Sequence, residues 1–305
     1  MRKQFFQQLM MSLDLYWKTL KGTDALAVRL FGGSLLYIRG LLVRLLSIGS
    51  MPKHIAFILD GNRRYAKKHN MDRGTGYRAG FLAIMSMLQY CYEFGVEYTT
   101  IYAFSIDNFK RRPEEVQLLM DLLLEKIQKL LHDKSMVNQY GVRVHFVGNL
   151  KLLREPVRVA AEEVMKATAN NTKITLLVCL AYSSTDEIVH AVQASCQEKW
   201  NEVQQVNANK AQNVEMTKQM PEQNDVIKLV DIERHMDMSL APDPDILIRT
   251  SGATRLSNFL LWQTTDCVLY SPKTLFPEIG LPHLIWAVLK FQRQYPHLQK
   301  RKKQL

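Results

Sequence analysis

The sequence predicts an α/β domain in which helices flank a central, mainly parallel sheet of six strands. Six short runs of β-branched and aromatic residues recur along the chain, helical patterns separate them, and the runs are apolar throughout. Strands of this kind are buried on both faces, which is typical of a parallel sheet covered by helices. The predicted strands are His54–Leu59, Thr99–Phe104, Val142–Val147, Ile174–Leu180, Ile246–Ile248 and Val268–Tyr270.

The predicted helices alternate with these strands. The clearest begins at Pro113, whose fixed φ suits a first helical turn, and two glutamates follow it. From Val116 to Leu131 it carries apolar residues at the spacing of one helix face. No internal repeat is visible, so residues 51–295 are predicted to form one domain. Further helical patterns cover Arg78–Phe94, Glu155–Ala169, Thr185–Lys199 and Leu284–Gln294.

The N-terminal segment, residues 1–50, differs from this domain. It is basic and rich in leucine, and the stretch from Leu26 to Ile48 contains three arginines and three glycines. A membrane-spanning helix needs about 20 nearly uninterrupted apolar residues. We therefore predict an amphipathic segment that lies on a membrane surface. A helix packed on the domain or on a partner, and an organellar transit peptide, are the alternatives.

Two other segments also differ in composition. Residues 201–224 are rich in asparagine and glutamine and lack a regular apolar spacing, so a disordered surface insertion is predicted there. Residues 296–305 form a basic tail that contains the run Lys300–Lys303. This tail is interpreted as solvated or as lying near a membrane surface.

The net charge of +11 admits nucleic acid, an anionic membrane or anionic small molecules as partners. Nucleic acid is not expected, because the chain lacks a basic motif interleaved with aromatics, a zinc-finger spacing and a helix-turn-helix pattern. The four cysteines form no CxxC pair. This pattern favours reduced thiols in a cytosol-facing compartment and argues against a structural zinc site.

The first group of residues suited to catalysis follows the first predicted strand. Residues 60–64 read Asp-Gly-Asn-Arg-Arg and lead into a helix. Backbone amides at a helix N-terminus, with two arginines beside them, form an anion site. Asp60 cannot bind phosphate directly, but it can hold a Mg²⁺ that bridges to one. The loop therefore suggests a metal–diphosphate site, and a plain Asp-Gly turn with a helix cap is the alternative.

Two further cationic clusters follow the second and fifth predicted strands. Ligands gather at the carboxyl ends of parallel strands, so the three clusters are expected to share one edge of the sheet. Arginines bind diphosphate through bidentate, charge-assisted contacts. Together the clusters suit two diphosphates and one metal ion that neutralises charge. The second cluster contains Ser105, Asp107, Asn108, Lys110, Arg111 and Arg112, and the third contains Arg249, Thr250, Ser251, Gly252, Arg255, Ser257 and Asn258.

Three stretches that carry these clusters, residues 54–64, 102–109 and 248–263, resemble the signature regions of cis-prenyltransferases. That family includes bacterial undecaprenyl diphosphate synthase and eukaryotic dehydrodolichyl diphosphate synthase. Residues 149–153 and 185–192 are most similar to its plant branch, which contains dolichol-type and rubber-type enzymes. The resemblance implies an undecaprenyl diphosphate synthase-like fold. It also implies a Mg²⁺-dependent enzyme that condenses isopentenyl diphosphate onto an allylic diphosphate, farnesyl diphosphate or a related one.

The resemblance also implies roles for individual residues. Asp60 matches the metal ligand that assists loss of the allylic diphosphate, and Asp60, Asn62, Ser105 and Asn108 are predicted to be catalytic. The allylic diphosphate site is matched by Gly61, Asn62, Arg63, Arg64 and Arg73, with Tyr77 where the family usually has histidine. Ser105, Asn108 and Arg111 match residues that lie between the two substrates. Phe109 matches an aromatic position near the allylic chain. The isopentenyl diphosphate site is matched by Arg249, Arg255 and Ser257.

A growing prenyl chain needs an apolar channel beside these polar residues. The predicted helices Arg78–Phe94 and Val116–Leu131 are candidates for its walls, with Ile84, Met87 and Leu88 in the first of them. Most apolar residues of both helices are expected to belong to the ordinary core instead.

The sequence departs from the family pattern at several places. Ala253 replaces a common glutamate, and residues 295–305 contain no Arg-x-Gly motif of the kind that homodimeric members carry near the C-terminus. In the family, such subunits pair with a non-catalytic subunit resembling the Nogo-B receptor. The resemblance therefore implies a heteromer, peripheral on the cytosolic face of the endoplasmic reticulum membrane. Because Asp60, Asn62 and Arg249 are intact, we predict the catalytic subunit, with a non-catalytic scaffold of the same fold as the alternative.

Overall fold

The sheet of six strands predicted from the sequence is present and is entirely parallel. The computed structural model describes residues 39–132, 138, 140–212 and 226–302. The strand order is β3-β4-β2-β1-β5-β6, and all five neighbouring pairs are parallel. The predicted fold class is thus confirmed. The strands are β1 (His54–Ile58), β2 (Tyr98–Ser105), β3 (Val142–Val147), β4 (Ile174–Tyr182), β5 (Ile246–Arg249) and β6 (Val268–Tyr270).

Helices alternate with the strands, as predicted, and several are longer than the sequence patterns indicated. The third begins at Arg73 because Asp72 caps it, its carboxylate accepting a hydrogen bond from the Thr75 backbone N–H at 2.9 Å. The helices are α1 (residues 39–46), α2 (Asn62–Lys68), α3 (Arg73–Glu93), α4 (Pro113–His132), α5 (Glu155–Thr168), α6 (Ser184–Gln212), α7 (Leu229–Arg234) and α8 (Leu281–Lys302).

Strand β1 shows why the predicted strands are apolar at every position. Ile55 and Phe57 pack in a core that also contains residues of α3 and α8. Ala56 and Ile58 belong to a second core, together with Leu247 of β5. Successive side chains of a strand point to opposite faces. A central strand covered on both faces therefore needs apolar side chains throughout.

A third core lies between the other half of the sheet and helices α4 and α5. Met120 and Ile127 contribute from α4, and Val157 and Ala161 contribute from α5. They pack against β3 and β4 residues such as Phe146. The apolar face predicted for the helix beginning at Pro113 is therefore only partly used for this core, because the same helix also borders the cavity described below.

The predicted insertion at residues 201–224 differs from the structure in its first half. Residues 201–212 continue helix α6, where the sequence predicted a disordered insertion. Polar side chains support the helix across one turn: Gln197 Nε2 donates to Asn201 Oδ1 at 3.0 Å, and Lys199 pairs with Glu202 at 2.8 Å. Residues 213–224 lie outside the described residues.

The two predicted terminal segments are described only in part. Residues 1–38 and 303–305 lie outside the described residues, whereas residues 296–302 continue helix α8. Helix α1 packs on the domain, since Arg39 pairs with Glu93 of α3 at 2.7 Å. Leu45 and Ile48 nevertheless remain 56% and 84% exposed. In the described part of the chain, no helix combines the length and hydropathy needed to cross a bilayer.

Candidate active site

The three cationic clusters lie at the carboxyl ends of β2, β1 and β5, which are neighbours at the centre of the sheet. Ile58, at the end of β1, is in register with Tyr102 of β2 and with Arg249 of β5. The clusters therefore meet at one edge, as the sequence predicts. They form one end of a cavity of about 1090 Å³.

Backbone geometry fixes the loop that carries Asp60. The Asp60 N–H donates to Thr250 Oγ1 at 3.0 Å, and the same hydroxyl donates to the Asp60 carbonyl at 2.6 Å. Gly61 follows with φ at +120°, and a Cβ there would lie 3.0 Å from the backbone nitrogen of Phe276. A residue with a side chain would be strained in that conformation. Only glycine lets the loop turn into α2 so close to Phe276.

The Asp60 carboxylate is held between two arginines. Arg249 Nη2 donates to Oδ2 at 2.8 Å, and Arg64 Nη2 donates to Oδ1 at 3.1 Å. Burial alone would raise the pKa of Asp60, but the hydrogen bonds and charges of Arg249 and Arg64 outweigh it and lower the pKa below its usual value. The carboxylate is therefore ionised at neutral pH.

Arg249 links this carboxylate to the loop after β5. Its side chain is 5% exposed. Its Nη1 donates to Ser257 Oγ at 2.7 Å and to the Arg255 carbonyl at 2.6 Å. The Arg249 guanidinium thus orients both Asp60 and Ser257. The Arg255 side chain is exposed and lines the cavity.

At the end of β2, two predicted residues hold each other in place. Ser105 Oγ accepts a hydrogen bond from the Asp107 N–H at 3.1 Å, and Asn108 Oδ1 accepts one from the Ser105 N–H at 3.2 Å. This capping box begins a short 3₁₀ helix, Ile106–Lys110. Ser105 and Asn108 both border the cavity.

Glu115, in the first turn of α4, belongs to the same end of the molecule, although the sequence did not single it out. Its Oε1 accepts hydrogen bonds from Tyr77 Oη and Arg111 Nη1, both at 2.9 Å. Its Oε2 accepts one from Arg73 Nη1 at 2.9 Å, and Arg63 Nη1 lies 3.6 Å from Oε1. Burial acts to raise the pKa of Glu115, but these donors lower it overall. Burial and the contact with Glu115 raise the pKa of Tyr77 to about 12.

Most of the predicted site residues line the cavity, and four do not. Arg64 contacts Asp60, Arg73 contacts Glu115, and Gly61 shapes the backbone. Phe109, predicted beside the allylic chain, packs edge-to-face on Phe104 with ring centroids 4.9 Å apart, and Phe104 is the ring that borders the cavity. The lining residues are Asp60, Asn62, Arg63, Tyr77, Ser105, Asn108, Arg111, Arg249, Arg255 and Ser257.

The rest of the cavity is apolar. Ile84 and Leu88 of α3 line it, as predicted, together with apolar residues of α4, β2, β3 and β4. Met87 does not: it is fully buried and packs in the core that α3 shares with β1 and α8. Phe81 and Tyr102 line the cavity and were not predicted. Nothing in the local sequence separates such wall residues from core residues.

The residues at the polar end fit a magnesium ion. Asp60 offers carboxylate oxygens, whereas Asn62 Oδ1, buried with no hydrogen-bond partner among the described residues, lies against Gly80 of α3, where a Cβ would collide with it. The described part of the chain contains no group of three or more His, Cys, Asp or Glu side chains that could hold a metal. Mg²⁺ is commonly bound by one or two carboxylates plus substrate phosphates. A site with one carboxylate beside a cluster of arginines fits that pattern.

The fold and this site together define an α/β enzyme whose ligands have an anionic head and a long apolar body. The family model for undecaprenyl diphosphate synthase matches residues 58–299. The chain belongs to that family and is a cis-prenyltransferase, which confirms the resemblance seen in the sequence.

Individual relatives agree with this assignment. Dehydrodolichyl diphosphate synthase 6 of Arabidopsis thaliana is 59% identical over 272 residues, 88% of this chain and 92% of that protein. Rubber cis-polyprenyltransferase HRT2 of Hevea brasiliensis is 53% identical over 269 residues, 88% and 94% of the two chains. The human dehydrodolichyl diphosphate synthase complex subunit DHDDS is 38% identical over 257 residues, 84% of this chain and 72% of that protein.

A solved structure also matches. The crystal structure of lavandulyl diphosphate synthase from Lavandula x intermedia, in complex with dimethylallyl diphosphate, superimposes with a TM-score of 0.66 at 25% sequence identity. The match covers 79% of this chain and 95% of that one. The parallel sheet and its flanking helices are therefore shared with a protein that binds an allylic diphosphate.

Proposed function

We propose that this chain condenses isopentenyl diphosphate onto an allylic diphosphate repeatedly and so builds a long cis-polyprenyl diphosphate of the dolichol or rubber type. The observation that carries the proposal is a cavity that has arginines around Asp60 at one end and apolar side chains along the rest. The names of the Arabidopsis and Hevea relatives support the same product class.

The arginines divide between two diphosphates in this proposal. Arg63 is assigned to the allylic diphosphate, and so is Arg111, which the resemblance places between the two substrates and which contacts the same oxygen of Glu115 as Arg63. Arg249 and Arg255 are assigned to isopentenyl diphosphate. Breaking the allylic C–O bond builds negative charge on the leaving diphosphate. Guanidiniums already held in place stabilise that charge more in the transition state than in the ground state. Arg249 is held by Ser257 and Asp60 before any ligand arrives, so little reorganisation is needed.

Asp60 is the residue proposed to hold Mg²⁺. When bound, the ion would act as a Lewis acid that neutralises the leaving diphosphate. Diphosphate oxygens can replace Asp60 as the partners of Arg64 and Arg249, because both arginines are already directed at an anionic oxygen. The apolar walls exclude water from the allylic carbon and hold it near the isopentenyl double bond, and such orientation contributes several kcal/mol to catalysis.

Product analysis tests the proposal. The chain, co-expressed with a candidate partner, is given labelled isopentenyl diphosphate together with C10, C15 or C20 allylic starters. We expect long, hexane-soluble cis-polyprenols after removal of the phosphates. Failure to incorporate label with every starter, or a product that stops after one condensation, would contradict the proposed function.

We also propose that the active form is a heteromer with a non-catalytic subunit resembling the Nogo-B receptor. The human relative carries the words "complex subunit" in its name, and this supports the proposal. The test compares the purified chain alone with the chain co-purified with its partner. We expect at least tenfold higher turnover in the complex, whereas full activity of the isolated chain would contradict the proposal.

Peripheral attachment to the cytosolic face of the endoplasmic reticulum membrane is the proposed location. Leu45 and Ile48 near helix α1 are exposed, and Arg44 is close in sequence, which suits an interfacial segment. We expect Leu45→Ser and Ile48→Ser to reduce co-flotation with vesicles containing anionic lipid. Leu240→Ser, at another leucine that is 50% exposed, is the matched control. Equal flotation of all variants would count against this role of α1.

A further inference from the structure

Glu115 is a buried carboxylate directly behind the cationic end of the cavity. Its side chain is 4% exposed, and its two oxygens receive hydrogen bonds from three donor side chains, with a further guanidinium nearby. Of these neighbours, Arg63, Tyr77 and Arg111 line the cavity. Glu115 therefore touches the groups that face the ligand and does not itself line the cavity.

The partners of Glu115 come from separate elements. Arg63 lies on α2, Arg73 and Tyr77 lie on α3, and Arg111 lies just before α4. Arg73 is 42 residues from Glu115 in sequence. One carboxylate thus ties three elements together at the point where their cationic side chains face the same space.

Charge explains why this arrangement needs a carboxylate. Three guanidiniums gathered in one place repel each other, and the repulsion grows as water is excluded. The carboxylate of Glu115 offsets part of that repulsion. Its place in the first turn of α4 also suits a negative charge, because the N-terminus of a helix carries a partial positive charge.

Order matters as well as charge. A long arginine side chain loses rotamer freedom when a ligand fixes it, and that loss reduces the affinity for the ligand. Arg63 is 55% exposed and Arg111 is 27% exposed, so neither is confined by packing alone. The contact with Glu115 restricts them before a ligand arrives.

We propose that Glu115 is a positioning residue for the allylic diphosphate, one that holds Arg63 and Arg111 toward the cavity before the substrate binds. This inference rests on the proposed function and names a residue that acts through the binding groups, not on the substrate. Tyr77 completes the arrangement, since its hydroxyl donates to Glu115 and accepts a hydrogen bond from Arg111.

Two variants separate positioning from simple charge. Glu115→Gln keeps the shape and removes the negative charge, which by itself would strengthen the attraction of the site for an anion. Glu115→Asp keeps the charge but shortens the side chain by one methylene, so that it no longer reaches all its partners. Positioning predicts that both variants weaken the site. An effect of net charge alone predicts tighter binding in the first and no change in the second.

The experiment uses the full chain in complex with its partner and measures kcat and KM for each substrate, together with calorimetric binding of inorganic pyrophosphate. We expect kcat/KM for the allylic diphosphate to fall about tenfold in Glu115→Gln and about threefold in Glu115→Asp. We expect KM for isopentenyl diphosphate to change less than twofold. Pyrophosphate affinity is expected to fall in parallel. Glu114→Gln, at the exposed neighbouring glutamate, is the matched control and is expected to behave as wild type.

The contrary outcomes are distinct. Unchanged or tighter pyrophosphate binding in Glu115→Gln would overturn the inference, and so would an equal loss for both substrates. If Glu115→Gln does not fold, Glu115→Asp decides, and wild-type kinetics there would overturn it. If the wild-type complex incorporates no isopentenyl diphosphate, the proposed function fails, whereas the pyrophosphate measurement still tests Glu115.

Discussion

Two carboxylates at the polar end of the cavity sit among arginines, and they differ in access. Asp60 is 25% exposed, lines the cavity and contacts Arg64 and Arg249. Glu115 is 4% exposed and lies behind the surface, in contact with three arginines and a tyrosine. Both have a lowered pKa for the same reason, since the surrounding cations outweigh the effect of burial.

This difference in exposure means that the ion pairs of Asp60 can be exchanged for other partners, whereas those of Glu115 cannot. A carboxylate at the cavity surface can give up its arginines to a diphosphate and turn to a metal ion. An enclosed carboxylate cannot, because removing its partners would leave a buried charge without compensation. Asp60 is thus suited to take part in the reaction, whereas Glu115 is suited to hold the neighbouring arginines and Tyr77 in position.

Asp60→Ala is expected to cause the largest loss. It removes the carboxylate proposed to hold the metal and leaves Arg249 without one of its partners. We expect incorporation of labelled isopentenyl diphosphate by the complex to fall about 10³-fold, in the range for loss of one electrostatic group in an active site. Retention of a cooperative thermal transition serves as the control for folding. Unchanged incorporation would show that this loop is not catalytic and would revive a scaffold role.

Arg249→Lys is expected to have the next largest effect. The lysine retains the charge but cannot replace both guanidinium nitrogens, which serve Asp60 on one side and Ser257 on the other. We expect kcat/KM for isopentenyl diphosphate to fall about 10²-fold. Arg255→Lys, at the exposed rim, is the comparison variant and should lose much less. Activity of Arg249→Lys within twofold of wild type would show that the geometry of the guanidinium is not required.

The place of Asp60 in the site could be predicted from the sequence, whereas that of Glu115 could not. Asp60 and Arg249 each directly follow an apolar run predicted as a strand, so their place at a shared sheet edge follows from the parallel topology. Glu115 reads in sequence as an ordinary acidic residue of a first helical turn. Its partner Arg73 is distant in sequence and comes close only because the fold brings the first turns of α3 and α4 together. The nearest local signal is Arg111, four residues before it.

The same physical reason limits the prediction of the cavity wall. Ile84 and Leu88 line the cavity while Met87, on the same helix, is fully buried in the core. All three satisfy the same apolar pattern, and only the packing of neighbouring elements separates them. Residues 201–212 are helical although they lack a regular apolar spacing, and at the start of this stretch Asn201 and Glu202 pair with side chains one turn earlier.

Acid is expected to remove the contribution of Asp60 to stability. The folded-state pKa of Asp60 lies below the unfolded value of about 4, so the stabilisation is fully present above pH 4 and is lost as the pH falls through the folded-state pKa. We expect Asp60→Asn to lower the free energy of unfolding by about 1 kcal/mol at pH 7. Denaturant titrations from pH 3 to pH 7 should show this difference shrinking below pH 4. A difference that stays constant over that range would show that the ion pairs of Asp60 with Arg249 and Arg64 do not stabilise the fold.

Tyr77→Phe is expected to give the smallest effect. It tests whether Tyr77 acts with Glu115 to position the arginines or acts directly on the substrate. The hydroxyl donates to Glu115 at 2.9 Å and accepts from Arg111 at 3.2 Å, so its loss weakens one link in the enclosed cluster. Because burial raises the pKa of Tyr77 to about 12, the hydroxyl stays protonated at neutral pH and cannot serve as a base. We expect kcat/KM for the allylic diphosphate to fall about 2- to 3-fold, with no shift in the pH–rate profile. A loss above tenfold, or a displaced pH profile, would mean that Tyr77 acts on the substrate directly and belongs with Asp60 at the reacting surface.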